Sequence, residues 1–154
     1  MIDFLRGVGI DVQERELCGT TILPGLTLEN GVLLVDRTRL TYPGDLLHEA
    51  GHLAVKLPAD RAITTHSAGS DPAEEMAAMA WAWAAGRHLN VPPEVIFHEA
   101  GYKKGSGSQT AEDFAAGRWF GVPFLQWIGL TAEPHQAEAL GRAAYPGMTK
   151  WLRE

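Results

Sequence analysis

An α+β domain is the fold class this sequence predicts, and three observations carry the prediction. An Asn30-Gly31 pair lies between two short apolar runs, a helical apolar stripe follows from Pro43 to Leu57, and an alanine-rich helical segment runs from Pro72 to His88. A hairpin followed by a run of helices packs as a small sheet with helices set against it. The 154 residues suit one compact domain over 1–154, with no linker-like stretch and no convincing repeat to divide it. Apolar residues make up 45% and charged residues 21%, which is enough to build a core and too apolar for disorder.

Each element has its own signal. Ile2, Leu5 and Val8 share one face of a short helix over residues 1–8, which Gly7 and Gly9 end. Residues 10–17 alternate loosely and read as a strand. Leu26 and Leu28 alternate with polar neighbours up to Asn30-Gly31, and Val32-Leu33-Leu34-Val35 returns. Both turn positions need positive φ, which Asn and Gly tolerate, so this is a hairpin. Leu46, Leu47, Ala50, Leu53, Ala54 and Leu57 recur at spacings of three and four, which makes 43–57 a helix. Thr41 is its expected N-cap, Pro43 suits the first turn, and Pro58 ends it. Residues 59–70 are small and polar and read as a loop. Asp71 caps the next helix, Pro72 opens it, and Glu74 and Glu75 suit the positive end of its dipole. Val91-Pro92-Pro93 ends that helix and opens a shorter one over residues 93–100. The stretch 101–109 reads as a flexible loop, and short helices are expected at 110–118, 122–129 and 133–144.

Bulk properties exclude several functions. The net charge is −6 and the cations are scattered apart from Lys103-Lys104, so no direct nucleic-acid partner is expected. One cysteine, Cys18, cannot form an internal disulfide, and a small buried thiol is its ordinary reading. The N-terminus has an acid at its third position and no long apolar run, unlike a secretory signal. No stretch approaches the roughly 18 apolar residues of a membrane span. The expectation is a cytoplasmic protein with no membrane partner.

The segment that carries chemistry is His48-Glu49-Ala50-Gly51-His52, an HExxH motif within a predicted helix. Residues i and i+4 lie on one helical face about 6 Å apart along the axis. Two imidazoles so placed can converge on one zinc ion at about 2.0–2.1 Å each. Glu49 is rotated away from His48 by about a quarter turn, where it can deprotonate a zinc-bound water without being a ligand. The alternative is two histidines on a solvated face. Against it, Leu46-Leu47 precede the motif and Leu53-Ala54 follow, and burying this polar set with nothing to bind is costly.

A catalytic zinc takes three protein ligands and keeps one position open. Glu75 is the favoured third ligand, because it is in register with Met79, Ala82 and Trp83. Glu74 is in register with Ala77, Ala78 and Trp81 and stays open as an alternative, as do His66 and Cys18. His88, His98 and His135 read as structural or solvated. Tyr102, His66, His98 and Arg87 are each able to stabilise an oxyanion, and nothing chooses among them. The tetrapeptide His-Glu-Ala-Gly recurs at 98–101 in different surroundings and reads as chance.

The run Gly31-Val32-Leu33-Leu34-Val35-Asp36, followed after a short link by Leu46-Leu47-His48-Glu49-Ala50-Gly51-His52-Leu53-Ala54, resembles the ImmA/IrrE family of zincin-like metallopeptidases. Glu75-Met76-Ala77-Ala78-Met79-Ala80 is similar in spacing to that family's Glu-Ala-Asn-x-Phe-Ala, departing at Met76 and Ala77. The resemblance covers roughly residues 20–85. It implies a minimal zincin fold, a small mixed sheet packed on helices with the motif helix at the cleft, and the strand after Asn30-Gly31 bordering that cleft for substrate strand addition. It implies one Zn²⁺ per chain held by His48, His52 and Glu75, with Glu49 as catalytic base. It implies a protein or peptide substrate, such as a transcriptional repressor. Two other functions fit the same residues: a binding module of a phage or toxin–antitoxin system without turnover, and another zinc hydrolase of amidase or deformylase type. Cys18, in Glu16-Leu17-Cys18-Gly19, fits the deformylase pattern poorly.

Overall fold

A computed structural model of the chain describes residues 1–66, 71–101 and 106–154. These form α1 (Ile2–Gly7), β1 (Val12–Glu14), β2 (Leu26–Glu29), β3 (Val32–Val35), α2 (Pro43–Val55), α3 (Pro58–Ile63), α4 (Pro72–His88), α5 (Pro93–Ile96), α6 (Gly107–Ala115), α7 (Val122–Trp127) and α8 (Ala137–Leu140). The class is α+β, with a three-stranded sheet of order β1-β3-β2. β1 runs parallel to β3 and β2 antiparallel to it. The predicted hairpin joins β2 to β3, with Asn30 at φ 50° and Gly31 at φ 77°. Past β3, Asp36 ties the sheet to the connection that follows. Its buried carboxylate accepts from the backbone N–H groups of Leu17 and Thr38, both at 3.0 Å, and from the Thr38 hydroxyl at 2.6 Å. These donors hold its pKa below the usual carboxylate range, the Thr38 hydroxyl most of all.

α2 and α4 form the centre of the molecule. Every residue of α4 from Ala77 to Gly86 is buried, so this helix is enclosed on all sides. Alanine makes that possible, because small side chains let neighbouring elements approach from every direction. It approaches α2 closely at Gly51, where a Cβ would lie 2.6 Å from the carbonyl oxygen of Ala78. Only glycine fits this crossing. The C-terminal segment closes over the pair. Trp81 Nε1 donates to the Trp151 carbonyl at 2.9 Å, and the Arg153 N–H donates to the Ala54 carbonyl at 2.9 Å. The Arg61 guanidinium donates to the carbonyls of Leu53, Lys56 and Arg153 at 2.8, 3.0 and 2.6 Å. It thereby satisfies carbonyls that the end of α2 leaves without helical partners. Among the described residues, no helix is long and apolar enough to cross a membrane.

Several expectations are corrected. α2 ends at Val55, and Leu57 is an exposed N-cap of α3. The residue before a proline is driven to extended backbone, so Pro58 both ends one helix and opens the next. Hence residues 58–63 are helical where a loop is expected; 67–70 of that loop lie outside the described residues. Tyr42, not Thr41, is the N-cap of α2, with no side-chain capping bond. α5 stops at Ile96, α6 starts at Gly107 inside the expected loop, and α8 covers only Ala137–Leu140. β3 lies between β1 and β2, so it offers no free edge for strand addition. On the outer side of β2, Leu26 already bonds Leu23, and the Leu28 carbonyl accepts from the His66 N–H.

Candidate metal centre

The helical spacing of the motif sets the first two donors. His48 and His52 are stacked one turn apart on α2, their Nε2 atoms 3.1 Å apart and their rings at 84°. The third donor comes from the first turn of α4. Asp71 caps this helix, its carboxylate accepting from the Ala73 N–H at 2.8 Å. Glu75 lies one turn before Ala78, so the close crossing at Gly51 carries its carboxylate onto the histidines. Oε1 is 3.4 Å from His48 Nε2 and Oε2 is 3.1 Å from His52 Nε2.

Around a tetrahedral ion with ligand bonds of about 2.0–2.1 Å, ligand atoms stand about 3.3 Å apart. The His48–His52 separation of 3.1 Å is close to that spacing, and the Glu75 carboxylate presents one oxygen to each imidazole at 3.4 and 3.1 Å, within reach of the same ion. His48, His52 and Glu75 form a group that can hold a metal ion. Two imidazoles and one carboxylate are a zinc donor set that leaves a fourth position open.

Electrostatics favours the ligand form of the His48 imidazole. Burial pushes the His48 pKa down to about 4, the neighbouring His52 adds to the fall, and Glu75 opposes it. A neutral imidazole is the species that binds metal. Glu49 is buried at 7% exposure beside them. Its pKa is raised, by burial first, with the Asp45 and Glu75 carboxylates adding and His52 opposing. A carboxylate moved up in this way is a stronger base.

His48, Glu49 and Glu75 all face one cavity of about 1000 Å³. Glu74, the neighbour of Glu75, is turned away from them. Its carboxylate accepts from Lys56 Nζ at 2.8 Å. No known protein family, characterised protein or solved structure matches this chain.

The other named candidates lie elsewhere. His66 is exposed, at φ 61°, and its backbone is tied to β2. Cys18 is exposed, contrary to the buried thiol expected of it. Arg87 lies over the Trp83 ring, 5.9 Å from its centroid, and His88 packs against Phe4 and Trp151. His135 is exposed beside Gln136. Tyr102 lies outside the described residues.

His98, read as a structural or solvated histidine, is largely buried, and it also faces the cavity. Its Nε2 is 2.7 Å from Asp45 Oδ1, and its ring stacks on Tyr42 at 3.9 Å and 4°. Burial raises the Asp45 pKa and the His98 contact opposes the rise. A signal for Asp45 was present: it stands four residues before Glu49 and so shares its helical face. For His98 there was none, because a fold contact across more than fifty residues brings it there.

Proposed function

We propose that this chain is a zinc-dependent metallopeptidase with a minimal zincin fold, hydrolysing a peptide bond in a specific regulatory protein. The observation that supports it most is the convergence of His48, His52 and Glu75 donor atoms at 3.1–3.4 Å beside a buried Glu49, at a cavity lined by His48, Glu49 and Glu75. Zinc, when bound, lowers the pKa of a water and polarises the scissile carbonyl. The protein's own residues supply the rest. His48 and His52 would present Nε2 to the ion. Glu75 adds one negative charge from the opposing helix. Glu49 takes the proton of the attacking water on its carboxylate and delivers it to the leaving amide nitrogen. The regulatory-protein substrate rests on the resemblance over residues 20–85.

Elemental analysis of the purified protein tests the metal, with about one zinc per chain expected. Zinc should be lost in His48→Ala. In Glu49→Gln the zinc should stay while peptide hydrolysis falls by a factor on the order of 10² to 10⁴. A folded protein that takes up no zinc would sink the proposal. A Glu49→Gln protein that works as well as the parent would favour a binding role for the same site.

A further inference from the structure

The cavity has two chemically different walls. α2 provides the polar wall, with Tyr42, Asp45, His48 and Glu49. The facing wall is apolar: Met76 and Met79 follow Glu75 on α4, Leu23 and Pro24 come from the approach to β2, and Phe120 precedes α7. The polar groups have tasks already. Asp45 is engaged by His98, and Glu75 faces the imidazoles. Among the described lining residues there is no lysine or arginine to receive an acidic side chain.

The apolar wall is also built in advance. Phe120 packs edge-on against Phe114, their centroids 4.8 Å apart. Gly121 sits so close to α4 that a Cβ there would lie 2.1 Å from the Met76 carbonyl oxygen. That contact fixes Phe120 relative to Met76. The two methionines have unbranched, polarizable side chains that adapt to apolar groups of different shape. At about 1000 Å³ the space is at the upper end of the roughly 300–1,000 Å³ usual for ligand sites.

From these walls we infer that the substrate is a peptide segment carrying a large apolar side chain, of leucine, methionine or phenylalanine size, seated between Met76, Met79 and Phe120 next to the scissile bond. This rests on the metallopeptidase reading and adds the substrate class to it. The polar wall performs the chemistry, and the apolar wall selects the residue beside it.

Calorimetric titration of the zinc-loaded full chain with short peptide hydroxamates differing in one side chain tests this. Hydroxamates with leucine or phenylalanine should bind at least about tenfold tighter than the glycine compound, since burying such a side chain is worth about 1.5–3 kcal/mol. The aspartate compound should bind most weakly. Met76 is 42% exposed, so Met76→Lys should fold normally, and it should narrow the preference for leucine over aspartate. Zinc retained with equal binding of glycine and leucine, or with no hydroxamate bound, overturns the inference and leaves the metal centre standing. A protein that takes up no zinc overturns the inference together with the reading beneath it.

Discussion

Glu74 and Glu75 are adjacent in sequence and about 100° apart around their helix. That rotation decides their roles. Glu75 meets His48 and His52, and Glu74 meets Lys56. Glu75→Ala should therefore weaken zinc binding strongly. Glu74→Ala should leave zinc in place and cost roughly 1 kcal/mol or less of stability, the usual scale for a partly screened ion pair. Zinc titration and chemical unfolding of the two variants separate the roles. His48 makes a second prediction, on pH. Its folded pKa of about 4 lies below its ordinary value of 6.5. Between those values the unfolded chain binds a proton that the folded chain does not. The stabilising contribution is thus fully present above 6.5 and is lost as pH falls towards 4. Glu49 and Asp45, raised by burial, act in the opposite sense. In thermal melts of the metal-free protein, His48→Asn should flatten the fall in stability across this window. A slope identical to the parent's would refute the assignment.

At the scale of elements, the crossing of α2 and α4 brings the donors together. Gly51→Ala would place a methyl group 2.6 Å from the Ala78 carbonyl oxygen, and the atoms it meets are all Ala78 backbone. The helices must separate, which should cost about 1–3 kcal/mol or more, as overpacking does. Because Glu75 lies one turn from Ala78, zinc affinity should fall as well. Gly7→Ala is the control: a Cβ there meets nothing within 4 Å, so stability should hold or rise slightly. Loss of stability without loss of zinc affinity in Gly51→Ala would show that the crossing does not position Glu75. The helices themselves were legible from periodicity, as were the hairpin and the Asp71 cap. Less legible was α3, because Pro58 reads equally well as an end and as a beginning.

At the scale of the whole molecule, the C-terminal segment holds the helix pair closed. Trp151 accepts from Trp81 through its carbonyl and packs edge-on against the rings of Trp81 and Phe4, at 5.6 and 5.0 Å. Trp151→Ala should lower stability by about 2–4 kcal/mol, somewhat less than for a fully buried tryptophan. Zinc stoichiometry at low temperature should not change, because none of these contacts touches the donors. Denaturant unfolding with metal analysis checks both.

By itself the sequence determined the chemistry of the site. HExxH at helical spacing places two imidazoles and a carboxylate on one turn, and this local geometry depends on the helix alone. It also determined α2, α4 and the Asn30-Gly31 hairpin, whose signals are local. The choice between Glu74 and Glu75 belonged to the tertiary structure. α4 is buried on all sides from Ala77 to Gly86, so both glutamates are in register with buried residues, and only the packing of α4 against α2 decides which of the two faces the histidines. The interior place of β3 and the meeting of His98 with Asp45 were likewise tertiary outcomes. Each depends on contacts between segments distant in the chain, which leave no periodicity for a local reading to find.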